Sequence, residues 1–247
     1  MEYFAYSSAN VSIRSDIKEE FSAYWQRLAQ PGSWWTGAER VAIAQESRTA
    51  LACDFCTERK SALSPYALNG SHTSETSLSD VAVDAVHRII TDQTRITQAW
   101  VDSLPENGLS TEAYVELAGI VVCMFSIDEF SRALGLELEP LPNPVDGGPS
   151  HYRPAQAEKG TGFVPMLPRG GLTGPEADLW PGGRSANVLR AFSLVPDALR
   201  DWLALSGALY IAVQDMSNMV KLEDRSINRM QMELVAARVS AINECFY

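Results

Sequence analysis

Cys53-Asp-Phe-Cys56 is a C-x-x-C pair in a chain of 247 residues that holds four cysteines. On the first turn of a helix, or across its end, two sulfurs at this spacing lie close enough to form a disulfide. One thiol can attack a peroxide, and the other can resolve the sulfenic acid that results. That chemistry needs a lowered thiol pKa and a nearby proton acceptor. Glu46 stands seven residues before Cys53, two helical turns away on the same face, and is the candidate acceptor. Arg48 and Lys60 are the candidate cations that would favour a thiolate. The rival reading is two small residues buried in a helix pair.

The chain has three histidines, His72, His87 and His151, and no second C-x-x-C. A four-ligand zinc site is therefore hard to assemble, and the expectation is no metal and no organic cofactor. His87 could approach the cysteine pair, although a lone histidine on an apolar face reads first as a satisfied core residue. Cys123, inside Val-Val-Cys-Met-Phe, reads as buried and inert.

The elements that must position these residues read as helices. Ile13, Ile17, Phe21, Tyr24, Trp25 and Leu28 form one stripe over 11–30, ended by Pro31-Gly32. Thr36 caps a second helix, small and apolar, expected to run through the cysteine pair to about Leu63. Residues 69–79 are rich in Ser and Thr and read as a loop. Helix resumes at about Ser79 with Val83, Val86, His87 and Ile90. After a turn at 105–108, Ser110 or Thr111 caps a long helix over 112–134, ended by Gly135. Nine of the thirteen prolines fall between Pro140 and Pro181, which reads as an extended or loosely packed linker. Helix returns near Ala186, breaks near 221 and starts again near Asp224. No convincing strand alternation occurs, so the expected class is all-α.

Shifting the sequence by 192 residues lays Cys53 over Cys245, and 36–55 over 228–247. Ala42 then meets Leu234, Ile43 meets Val235, Ala44 meets Ala236 and Phe55 meets Tyr247. Two copies of one helical unit is the simplest reading; chance likeness of two apolar helices ending in Cys is the alternative. The expected organisation is a first module over 1–140, a Pro/Gly linker over 141–186 and an incomplete second module over 187–247.

Residues 233–247 sharpen this. They read Glu-Leu-Val-Ala-Ala-Arg-Val-Ser-Ala-Ile-Asn-Glu-Cys-Phe-Tyr, with eleven residues between Glu233 and Cys245. This resembles the alkylhydroperoxidase D / carboxymuconolactone decarboxylase family. Its peroxidase motif is Glu, eleven residues, Cys, two residues, Cys, three residues, His. The resemblance makes Glu233 and Cys245 a second candidate site and implies that the natural product continues past Tyr247 with a cysteine or a selenocysteine. In the first module Cys53 and Cys56 match the pair, but Val41 stands where the family has its acid and Lys60 where it has its histidine.

The net charge of -11 provides no basic face for phosphates, so nucleic acid is not an expected partner. The apolar stretches at 115–125 and 203–213 are too short or too interrupted to span a bilayer, and no secretory leader is evident, so a cytoplasmic protein without a membrane partner is expected. The resemblance implies a thiol-dependent peroxidase or disulfide oxidoreductase, acting on (alkyl) hydroperoxides with a reductant protein or small dithiol, and a homo-oligomer. The alternatives are a non-catalytic oligomeric scaffold, favoured by Val41 and Lys60, and a decarboxylase-branch relative that needs no cysteines.

Overall fold

The computed structural model describes residues 3–180, 183, 185–219, 225–243 and 245. Among them the regular structure is helical; the one β-type pairing is an isolated bridge between Glu158 and Met166. The fold is all-α, as the hydrophobic periodicity predicts. The helices are α1 (Ser15–Ala29), α2 (Gly37–Ala50), α3 (Asp54–Ser61), α4 (Asp80–Thr91), α5 (Gln98–Ser103), α6 (Thr111–Ala133), α7 (Asn187–Arg190), α8 (Pro196–Leu209) and α9 (Arg229–Ile242). Asp224, where the last helix was expected to start, and Tyr247 lie outside the described residues. The six-residue α5, capped by Thr97, was not expected, because so short a helix carries too few turns to show a period.

α6 is the hub and packs against α2, α4 and α8. It is buried on several sides, through Leu117, Ile120, Val121, Cys123, Met124 and Ile127, as a helix apolar nearly all round must be. Ser110 caps it by accepting from the Ala113 N–H. Phe21, Tyr24, Trp25 and Leu28 on α1 are fully buried in the same core, each contributing about 1.5–3 kcal/mol of apolar burial. Gly119 lets α8 approach α6: a Cβ there would fall 2.8 Å from the Cβ of Ala198.

α2 is held by its cap and by ion pairs. Thr36 and Glu39 form a reciprocal capping box. Arg40 pairs with Glu116 of α6, and Arg48 grips Asp128 of α6 with two bonds of 2.8 and 2.9 Å. Both acids are buried, so removing either arginine would cost about 3–5 kcal/mol through the charge left behind.

The Pro-rich segment is extended but not loose. Val145 and Ser150 donate backbone bonds to Ala29 and Gly32, and Leu167 and Leu179 are buried in a second apolar cluster with Leu189, Leu199 and Val213. Apolar residues spaced through the segment give it a face to bury, which proline content alone does not reveal. Leu194, Val195, Ala198 and Leu205 join the core of α1 and α6, so residues 187–209 complete that core and the boundary expected at 187 does not divide it. No helix among the described residues is long and apolar enough to cross a membrane.

Candidate functional site

The cysteine pair sits where the chain leaves α2. The continuous helix expected through Cys53 is instead broken: α2 stops at Ala50, two residues turn, and Cys53 adopts extended backbone (φ -75°, ψ 115°) as the N-cap of α3. The Cys53 N–H bonds back to Ala50, while its carbonyl accepts from the Thr57 N–H at 3.1 Å. One residue thus closes one helix and opens the next. Cys53 and Cys56 consequently occupy the first turn of α3, where unpaired N–H groups favour thiolates.

Both sulfurs face histidines. His87, fully buried on α4, places Nδ1 3.2 Å from Cys56 Sγ and Nε2 2.8 Å from Glu46 Oε1. The other oxygen of Glu46 accepts from the hydroxyls of Ser74 at 2.6 Å and Thr76 at 2.7 Å. His72, from the loop before α4, has Nδ1 3.3 Å from Cys56 Sγ and 3.8 Å from Cys53 Sγ. Its Nε2 stands 3.2 Å from Asp84 Oδ1, and Asp84 also accepts from Arg88 Nε at 2.6 Å. Asp84, His87 and Arg88 share one face of α4 at i, i+3, i+4. The loop is shaped around Phe55, which contacts the His72 ring edge-on and carries Arg59 over its face at 4.2 Å. Gly70 passes under that ring so closely that a Cβ would fall 2.4 Å from it. A cleft of about 520 Å³ opens beside the site, lined by Phe55, Arg59, His72, Ser74, Thr76 and Asp84 among others.

The charges reinforce one another. Burial opposes ionisation of Cys56, but hydrogen bonds from His72, His87 and Thr91 and the charge of His87 outweigh it and bring the thiol down to about 5. Cys53 is lowered too: burial is outweighed by the backbone N–H groups of Cys56 and Thr73 and by His72. Burial would lower His72, yet bonding to Asp84 and to both sulfurs lifts it to about 10. His87 is raised likewise, its bonds to Cys56 and Glu46 overcoming burial. Asp84 is brought to about 2 because His72 and Arg88 outweigh its desolvation. Cys123, by contrast, is fully buried and desolvation pushes its thiol well above the ordinary value.

Of the residues expected from sequence, Cys53, Cys56 and Glu46 are brought together. Glu46 reaches the pair through His87, because the break after Ala50 removes the helical register assumed for it. Arg48 is engaged by Asp128 and Lys60 is exposed, so histidines supply the positive charge. Glu233 and Cys245 are not brought together. Glu233 lies in the second turn of α9 beside Tyr210 and Arg229, and Cys245 is exposed beyond the far end of the helix, its N–H bonded to the Ser240 carbonyl. Sequence reasoning missed His72, Asp84, Ser74 and Thr76. The i, i+3, i+4 row of Asp84, His87 and Arg88 on an apolar helix was the available signal for Asp84. The expectation that a four-ligand site is hard to assemble is also corrected: one ligand atom each from Cys53, Cys56, His72 and His87 lies within 4.8 Å of every other. Two histidines suffice once a loop and a helix converge on one C-x-x-C.

Three kinds of relative could place the chain: family models, curated proteins and solved structures. None matches.

Proposed function

We propose that the chain is a thiol-dependent oxidoreductase that reduces hydroperoxides through Cys56 and Cys53. The supporting observation is the relay from Cys56 Sγ to His87 (3.2 Å) to Glu46 (2.8 Å), buried throughout. It contains the residue types of the alkylhydroperoxidase D motif, with the acid and the histidine supplied from other positions than Val41 and Lys60.

Cys56 is the attacking sulfur, since two imidazoles face it and, against its burial, bring its thiol down to about 5. The thiolate takes the terminal oxygen of the hydroperoxide, breaking the O–O bond, and the alkoxide leaves with the proton held on His87. Glu46 orients His87 and balances its charge. Cys53 then attacks the sulfenic acid of Cys56, forming the disulfide and releasing one water. An external dithiol reduces the disulfide and closes the cycle. Substrate enters from the cleft, past His72 and Phe55, so the loop carrying His72 must yield for the peroxide to reach sulfur.

Peroxide consumption by the full chain with dithiothreitol, under metal-free conditions, tests this. Turnover that vanishes in Cys56→Ser and persists in Cys123→Ser is expected. Equal rates in the wild type and Cys56→Ser would overturn the proposal.

A further inference from the structure

We infer that the reduced chain binds one zinc(II) ion between Cys53, Cys56, His72 and His87, in a tetrahedral site of two sulfurs and two nitrogens. Zinc–sulfur and zinc–nitrogen bonds of normal length set the S···N edge of such a tetrahedron at about 3.5 Å. Three of the four edges between sulfur and nitrogen are 3.2, 3.3 and 3.8 Å, and all four atoms lie within 4.8 Å of one another. Both histidines present the same nitrogen, Nδ1, to the centre. Both anchor the other nitrogen on a carboxylate, His72 on Asp84 and His87 on Glu46. That is the outer shell that fixes the tautomer and orientation of a metal-bound imidazole. Ser74 and Thr76 in turn hold Glu46, and Arg88 holds Asp84, so the second shell is itself satisfied. A general base for one thiol needs one histidine. A second histidine, delivered by a separate loop and carrying its own carboxylate, is what a four-coordinate ion requires.

The ligands come from three places: the start of α3, the loop before α4, and α4. Zinc would therefore lock the His72 loop down over the sulfurs and close the path from the cleft. The consequence for activity rests on the thiol-redox reading: the zinc form is the resting, protected state. Two zinc-held thiolates, one hydroperoxide and two protons give the disulfide, the alcohol, one water and free zinc(II). The disulfide retains no thiolate to hold the ion, so oxidation and metal release are one event.

The test uses the full chain, reduced, stripped with chelator and titrated with cobalt(II), then with zinc(II). One cobalt per chain is expected, with the intense visible bands of tetrahedral coordination and sulfur-to-cobalt charge transfer, bleached by one equivalent of zinc. His72→Gln, a loop variant that leaves the helical core in place, should weaken zinc binding by 10-fold or more and change the cobalt bands, with its far-ultraviolet circular dichroism unchanged. Absence of a tetrahedral spectrum, or a spectrum and affinity unaltered in His72→Gln, would overturn the site. Peroxide consumption by the metal-free chain is the separate arm. Cobalt binding without turnover leaves the metal site standing and removes the redox reading; turnover without cobalt binding does the reverse. With both, hydroperoxide added to the zinc form should release one zinc for every two thiols lost; thiol loss without zinc release would overturn the coupling.

Discussion

α2 and α9 are twins in local design and opposites in setting. Each is fourteen residues long, and the shift of 192 that lays Cys53 over Cys245 carries Gly37–Ala50 onto Arg229–Ile242 without remainder. Each opens with a reciprocal capping box, Thr36 with Glu39 and Asn228 with Gln231. α2 buries Ile43, Ala44, Glu46, Ser47 and Ala50 between α4 and α6, while α9 buries only Arg229 and Met232 and exposes Met230, Leu234, Val235, Val239 and Ile242. After α2 the pair Cys53 and Cys56 meets two histidines, each backed by a carboxylate; after α9 Cys245 is exposed. The same local segment ends in a cysteine surrounded by acids and histidines only where neighbouring elements bring them to it.

The sharpest way to break this comparison is to exchange the cysteines. Cys56→Ser is expected to lower peroxide turnover by at least ~10²-fold, and Cys245→Ser to leave it unchanged. Cys53→Ser should still let Cys56 form a sulfenic acid, now unresolved and trapped by a dimedone probe in mass spectrometry. Turnover that depends on Cys245 would transfer the active centre to the second segment.

The next effect concerns the relay. His87→Ala leaves Glu46 buried without its basic partner, which should cost about 3–5 kcal/mol in urea unfolding as well as the activity. Glu46→Gln keeps an acceptor for Ser74 and Thr76 and should fold normally, yet lower turnover on the order of tenfold. A Glu46→Gln rate equal to wild type would make the residue a structural polar anchor. No corresponding loss is expected for Glu233→Gln.

Acidity gives a finer reading of the same site. In the metal-free chain, alkylation of Cys56 by iodoacetamide should titrate with a midpoint near pH 5, where the histidines hold its thiol. Because the folded thiol is the stronger acid, the reactive thiolate is present above that pH and is lost as pH falls through it. His72→Gln removes one of the two imidazoles, so the midpoint should rise. Peptide-resolved alkylation checks this, and a midpoint near that of a free thiol would separate the histidines from thiol activation.

The smallest effects are in the caps. Thr36→Ala is expected to destabilise the fold by about 1 kcal/mol, as loss of a cap on a packed helix does. Asn228→Ala should fray α9 with little change in global unfolding, because so little of α9 is packed. Hydrogen exchange should accordingly be faster in α9 than in α2; equal protection would mean that α9 is covered in solution.

The sequence by itself determined where most of the longer helices lie, though not the break between α2 and α3 or the short α5. Apolar residues at i, i+3 and i+4, Thr36 and Ser110 as caps, and Gly135 as a stop are local instructions that each segment executes on its own account. It also singled out Cys53 and Cys56, since their spacing is covalent, and Glu46, since a carboxylate in a small apolar helix needs a partner. Only the tertiary structure decided who that partner is. His72 lies sixteen residues from Cys56 and His87 thirty-one, on a loop and on another helix, and no local period encodes such a convergence. The break after Ala50 was equally invisible, because both flanking stretches are good helix and neither proline nor glycine marks the turn at Leu51, Ala52 and Cys53. Nor could the sequence tell α2 from α9, because burial belongs to the neighbours a helix finds and is written nowhere in the helix itself.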